Sequence, residues 1–181
     1  LKKKRGIIDS CCESMINIKR LSDQYCVRRL NKKDVSLIET LQKGHPLYYE
    51  FCPPFPSVQG ILNDLKALPA NKKISDKFYL GFFQKEKLIA IMDLIVKYPN
   101  KDTVFIGFFM VDKEHCGQGI GSKIIEDCLK EFKQQEFTFV SLFYMKGNRQ
   151  SKAFWEKCQF LNTGIETDNG QGTVVVLERK L

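Results

Sequence analysis

The chain has 181 residues, 43% of them hydrophobic and 28% charged. That balance buries a sizeable core and fits one domain, or one domain with an extension, which excludes a disordered or fibrous chain. No apolar run approaches the roughly 20 residues that cross a bilayer, and no apolar signal region follows the basic start Leu1-Lys-Lys-Lys-Arg5, so the expectation is a soluble, cytoplasmic protein.

The formal net charge is +8. Such a surplus suits an anionic ligand or a nucleic acid. Here it is spread over a basic tail and scattered lysines, and no nucleic-acid-binding motif accompanies it. The expected partners therefore include neither nucleic acid nor membrane. Seven cysteines (11, 12, 26, 52, 116, 128 and 158) form no C-x-x-C pair, and His45 and His115 are the only histidines. No metal site and no disulfide framework is expected; the thiols read as reduced and mostly buried.

Residues 1–24 carry a basic run and weak periodicity, so they read as an extension, with a short helix over 9–19. The domain proper is expected at 25–181. Tyr25 to Leu30 alternates as a strand. Asn31 caps a helix with Asp34 in its first turn, Val35, Ile38 and Leu41 on its apolar face, and Gly44 as its stop. His45 to Pro56 reads as a loop rich in proline and aromatics. Ser57 caps a second helix, its face Val58, Ile61, Leu62, Leu65 and Leu68, ended by Pro69. Three strands follow as an antiparallel meander: Phe78 to Gln84, Leu88 to Val96, and Thr103 to Val111. A glycine loop then opens a helix running to about Lys133, with Ile120, Ile124, Ile125, Cys128, Leu129 and Phe132 on one face. A strand over Phe137 to Phe143 follows; strand, crossover helix and strand imply local parallel pairing. A short helix covers about Gln150 to Lys157. Two last strands, Leu161 to Asp168 and Thr173 to Arg179, flank a turn at Asn169-Gly170.

The glycines at 117, 119 and 121 lie between a strand and a helix. Glycine lets backbone approach a ligand closely. The first N–H groups of a helix lack internal partners and its dipole makes that end positive, so a phosphate fits there. Two familiar fingerprints fail: a dinucleotide motif counted from Gly117 would need a third glycine where Ser122 stands, and Gly121 is followed by Ser122 and Lys123, in the wrong order for a P-loop. Both motifs also belong to parallel sheets. A diphosphate site of another kind remains, beside the plainer reading of a glycine-rich helix start.

Cys116-Gly-Gln-Gly-Ile-Gly121 resembles motif A of the GNAT superfamily of N-acetyltransferases, Q/R-x-x-G-x-G/A. Downstream, Asn148, Ser151 and Phe154-Trp-Glu-Lys-Cys-Gln-Phe160 resemble the family's N-x-x-A-x-x-hydrophobic-Y-x-x-x-G-F. The order of elements from Tyr25 onward is similar to the family fold throughout. The resemblance implies an α/β (α+β) single domain: a mixed, mostly antiparallel sheet of about seven strands with about four helices. It implies an acetyl-CoA-dependent transferase, monomeric or homodimeric, acting on a small-molecule or protein amine. It places the diphosphate on the amides of Gly117, Gln118, Gly119, Ile120, Gly121 and Ser122, beside Cys116. It places the pantetheine arm along Phe109, Met110 and Val111, where the fourth and fifth strands splay, and a side-chain hydrogen bond to the arm at Asn148. It implies, finally, that the acceptor amine attacks the thioester directly.

Three positions depart from the family pattern. Cys116 replaces Gln or Arg, which leaves the loop amides intact. Trp155 replaces the tyrosine that often protonates the leaving thiolate; indole is no acid, but it can pack against pantetheine. Gln159 replaces the late glycine. These departures leave a coenzyme A-binding module with little or no catalysis as an alternative.

Attack requires a deprotonated amine, hence a base or a water chain leading to one. Asp93 is the odd residue in an apolar strand and must be paired or have a raised pKa if buried. It reads as a base, a substrate contact or a structural acceptor. Tyr144 is a second catalytic candidate. Tyr48 and Tyr49, in the aromatic loop, are candidate acceptor contacts. His115 neighbours the phosphate loop and is a candidate phosphate contact; Cys116 reads as a space-filling residue, with a thiol of lowered pKa beside the helix start as the alternative to test.

Overall fold

The computed structural model describes residues 16–181. The helix expected over 9–19 lies mostly outside them; its described end is one 3-10 turn, Ile18–Arg20. Seven strands form one sheet: β1 (Cys26–Arg29), β2 (Lys77–Gln84), β3 (Lys87–Val96), β4 (Thr103–Val111), β5 (Phe139–Met145), β6 (Leu161–Asp168) and β7 (Thr173–Lys180). Their spatial order is β1-β2-β3-β4-β5-β7-β6. Every neighbouring pair is antiparallel except β4 and β5. A parallel pair needs a long crossover, and the helix α4 (Ile120–Gln134) supplies it.

The other helices are α1 (Val35–Lys43), α2 (Pro46–Phe51), α3 (Val58–Asp64) and α5 (Arg149–Lys157). Before α1, the Asn31 side chain accepts from Lys33 N–H, and Asp34 accepts from Asn31 N–H at 2.9 Å, a capping box. Arg28 grips the same Asp34 carboxylate with two bonds of 2.7 and 3.0 Å, holding its pKa low. Hydrophobic residues cover both faces of the sheet. On one, Ile124, Ile125, Leu129 and Phe132 of α4 meet Leu80, Phe82, Met92 and Leu94. On the other, Val35, Ile38, Leu41 and Ile61 meet Tyr79, Phe83, Ile91 and Met110. Burial on both faces explains why β2 and β3 read as continuous apolar runs.

Four boundaries differ from expectation. The expected loop at 45–56 contains α2, because Pro46 occupies the first helical turn, where its missing N–H costs nothing. Helix α3 ends at Asp64, short of Pro69; proline disfavours helical backbone at the residue before it, so the last turn loosens early. Strand β5 starts two residues late, because Phe137 N–H returns to Phe132 O at 3.1 Å and Glu136 takes a φ of 64°, closing α4. It also runs on past Phe143, since Tyr144 and Met145 pair with Val175 and Val174 of β7, so Tyr144 lies inside the strand. The β6–β7 turn is longer than two residues, with Asn169 N–H bonded to Gly172 O at 3.1 Å.

One irregularity positions the site. The β3–β4 register shifts between Asp93 and Leu94: Asp93 faces Phe108, Leu94 faces Ile106, and Gly107 is left over. A bulge of this kind bends its strand. Strands β4 and β5 pair only over Thr103–Ile106 and Phe139–Leu142. Past the bulge they part, leaving an opening between Phe108–Val111 and Phe143–Met145.

Candidate functional site

The glycine loop lies at one end of this opening. Gly117 and Gly119 have φ of 76° and 80°, and a Cβ added at either would meet nothing within 4 Å. These two are glycine for their backbone angles. Gly121 is glycine for space: its Cβ would come within 3.1 Å of Phe154 and 3.2 Å of Val111. Among the described residues, Lys123 N–H is the first in α4 to find a backbone acceptor, Gly119 O at 3.0 Å. The preceding amides form an open, positively polarised turn.

Two cavities meet in the opening. The first, about 310 Å³, runs from the glycine loop past Met110 and Val111 to Phe109, Asn148 and Trp155. Asp112 donates its N–H to Ile89 O on β3 at 2.8 Å. By strand alternation, the backbone groups of Val111 and Phe109 face the open side. His45 already serves one of them, its Nε2 lying 2.8 Å from Val111 O. A carbonyl only accepts, so Nε2 carries the proton. Burial lowers the His45 pKa, which favours that neutral ring. Asn148 caps α5 by accepting from Ser151 N–H at 2.9 Å. Trp155 is buried among Phe154, Phe160 and Phe109, with ring centroids 4.9, 5.2 and 6.1 Å away.

The second cavity, about 340 Å³, opens on the other side of the same junction. Tyr48, Phe109, Asn148, Ser151 and Trp155 line both. Its wall carries Tyr49, Tyr144, Asp64 and Asp93. Asp93 is paired: Lys77 Nζ lies 2.6 Å from its Oδ2, and the Lys77 side chain is only 2% exposed. The other oxygen, Oδ1, is buried without a partner. Burial pushes the Asp93 carboxyl up to about 6, against the pull of Lys77 and with a push from Asp64. Asp64 stands at the solvent side; desolvation still raises its pKa, and Lys77 offsets part of the rise. Burial also raises the Tyr48 and Tyr49 phenols, so both remain neutral.

The Acetyltransferase (GNAT) family model matches residues 44–160. The chain belongs to this family. It is thereby an acetyl-CoA-dependent acyltransferase. Among solved structures it is similar to an acetyltransferase from Thermus thermophilus, with TM-score 0.69 and 17% identity over 86% of this chain and 96% of that one. It is similar also to the PaiA N-acetyltransferase of Thermoplasma acidophilum in complex with coenzyme A, with TM-score 0.63 and 16% identity over 86% and 98%. A third similar structure is Ard1 of Thermoplasma volcanium, with TM-score 0.62 and 16% identity over 87% and 98%. At such identities the likeness speaks for the fold. No curated protein sequence matches the chain.

The three departures from the GNAT pattern now have locations. Cys116 is exposed, and its thiol faces Val111 O and Asp112 O at 3.7 and 3.6 Å. Burial, with the charge of Asp112, raises its pKa, which fits the space-filling reading of this residue and not the reactive thiol. Trp155 lies where the two cavities meet. Gln159 has a φ of 61°, the left-handed angle that suits the family's glycine. His115 points its Nδ1 at Asp112, 2.8 Å away. Asp112, Glu114 and His115 could together offer ligand atoms to a metal, but Lys87 Nζ sits 2.6 Å from Glu114 and 3.6 Å from Asp112, bringing its own positive charge. Among the described residues, no helix is long and apolar enough to cross a membrane.

Lys77, Asp64 and the Gly107 bulge were not visible in the sequence, and Ser151 stood out only as a member of the second motif. Lys77 belongs to a strand neighbouring Asp93 and is remote in sequence. Ser151, at the family's small-residue position in the second motif, was the one with a local signal.

Proposed function

We propose that the protein carries an acetyl group from acetyl-coenzyme A to a primary amine by direct attack within a ternary complex. The observation that carries this reading is the junction at Phe109, Asn148, Ser151 and Trp155, where two cavities of different character meet. In this reading the diphosphate rests on the amides of Gly117 to Ser122. The pantetheine follows the open edge of β4 at Phe109 to Val111, with the Asn148 amide beside it and Trp155 against its tip. The thioester then faces the second cavity, where the amine waits near Asp93.

The amine nitrogen bonds to the carbonyl carbon as the carbon–sulfur bond breaks. The Asp93 carboxylate takes the proton lost by nitrogen, directly or through water. The thiolate leaves and is protonated by solvent, since indole cannot do it. A direct path is favoured over an acyl-enzyme because the thiols lining the cavities are poor nucleophiles: burial raises both Cys52 and Cys116. Tyr144 is buried beside the acceptor space and serves to shape it.

Thiol release from acetyl-CoA across a panel of primary amines tests the reading, with coenzyme A binding followed by calorimetry. The expected result is amine-dependent release. Tight coenzyme A binding without turnover of any amine would point instead to a binding module.

A further inference from the structure

We propose that the acceptor is a small, cationic amine with an aromatic or apolar body and no acidic group. The inference rests on the acetyl-transfer reading and names the substrate class of the same site. Three observations carry it.

The first is charge. The net charge of the chain is +8, yet among the described residues the second cavity is lined by two carboxylates, Asp64 and Asp93, and by no lysine, arginine or histidine. Lys77 stands behind Asp93 and occupies its Oδ2, at 2.6 Å. One acid neutralised from behind and one without an ion pair among the described residues leave the cavity negative inside a basic protein. Such a field draws in an ammonium and repels a carboxylate or phosphate.

The second is the wall. Tyr48 meets Tyr49 and Phe108 edge-on, with centroids 5.0 and 5.6 Å apart, and Tyr49 meets Phe55 at 5.6 Å. Phe143 and Tyr79 complete the lining on the sheet side. Interlocked rings offer an apolar body flat surfaces, and ring faces attract ammonium as well.

The third is size and access. The cavity holds about 340 Å³, near the lower end of small-molecule sites, roughly 300–1,000 Å³. Gln171, in the β6–β7 turn, donates its side-chain amide to Pro53 O at 2.6 Å, tying that turn to the proline segment. Both residues line the cavity, so this bond closes a strap across it. A free small molecule passes such a strap more readily than the amino terminus of a folded protein.

Trp155 is the only tryptophan and lines the cavity, so its fluorescence reports occupancy without requiring turnover. The experiment titrates the full chain, saturated with coenzyme A, with 2-phenylethylamine, L-phenylalanine and a phenylalanine-initiated tetrapeptide amide. The first should bind about tenfold or more tightly than the second, which has the same ring and amine plus a carboxylate. It should also bind more tightly than the peptide. The change Asp64→Asn should shrink the preference over L-phenylalanine to less than about threefold. Equal or tighter binding of L-phenylalanine, or of the peptide, overturns the proposal, as does a preference untouched by Asp64→Asn. Failure of coenzyme A itself to bind strikes the acetyl-transfer reading alone; titration of the unliganded chain then decides the acceptor class in the same way.

Discussion

The donor and acceptor halves proposed for the site are built from different materials. The donor half is backbone: a run of amides at 117–122, two glycines in the left-handed region and an open strand edge at Phe109 and Val111. The acceptor half is side chains from segments far apart in the chain: α2, α3, β2, β3, β5 and the β6–β7 turn. Backbone sites tolerate side-chain change, which is how Cys116 stands where the family has glutamine or arginine. Side-chain sites change with each substitution, so the proposal puts substrate choice in the acceptor half.

The sharpest way to break this contrast is Asp93→Asn. If Asp93 is the base, kcat/KM should fall by about 100-fold or more, the range typical of a lost general base. In the unchanged protein kcat/KM should fall as pH drops through about 6, because the carboxylate accepts a proton only while ionised, above its raised pKa. That acid limb should vanish in the variant. The substitution also strands the buried ammonium of Lys77, which can cost about 3–5 kcal/mol of stability. The pair Lys77→Met with Asp93→Asn removes both charges and should recover the melting temperature without the rate. Coenzyme A affinity should hold in both; its loss would show that the halves are not independent.

Gly121→Ala probes the donor half. The new methyl would press on Phe154 and Val111, both about 3.1–3.2 Å from its position. Overpacking of this kind costs about 1–3 kcal/mol, or roughly tenfold or more in coenzyme A affinity if it moves the loop. Amine binding followed through Trp155 should change far less. An unchanged coenzyme A affinity would remove the loop from the donor site.

The smallest expected effect is a gain. Gln159 holds a left-handed angle, which costs a side-chain-bearing residue about 1–2 kcal/mol. Restoring the family's glycine, Gln159→Gly, should raise stability by about 1 kcal/mol in a thermal melt, the added freedom of the unfolded chain taking back part of the relief. Catalysis should be indifferent, since Gln159 lines neither cavity.

The same contrast explains what could be read from sequence. The glycine loop was legible because its chemistry is local: alternating glycines between a strand and a helix specify unpaired amides without knowledge of the rest. The sheet was legible because its apolar runs are long and sharply ended. Asp93 stood out as a charge in such a run, but its partner could not be named. Lys77 reaches it only because β2 and β3 pair, placing Tyr79 opposite Asp93 and Lys77 opposite Ile95. The opening between β4 and β5 was anticipated through family likeness. Its cause, the displaced Gly107, depends on a register between two strands that no local pattern records. The helix at Pro46–Phe51 was hidden by its proline, which reads as a loop in a proline-rich stretch yet suits a first helical turn.

The central claim is that donor and acceptor meet at Phe109 and Trp155 and react there directly. Initial rates measured over acetyl-CoA concentration at several fixed concentrations of a turned-over amine test it most directly. The account predicts intersecting double-reciprocal lines, the pattern of a ternary complex. Parallel lines, with acetyl-CoA alone leaving an acetyl group on the protein, would contradict it.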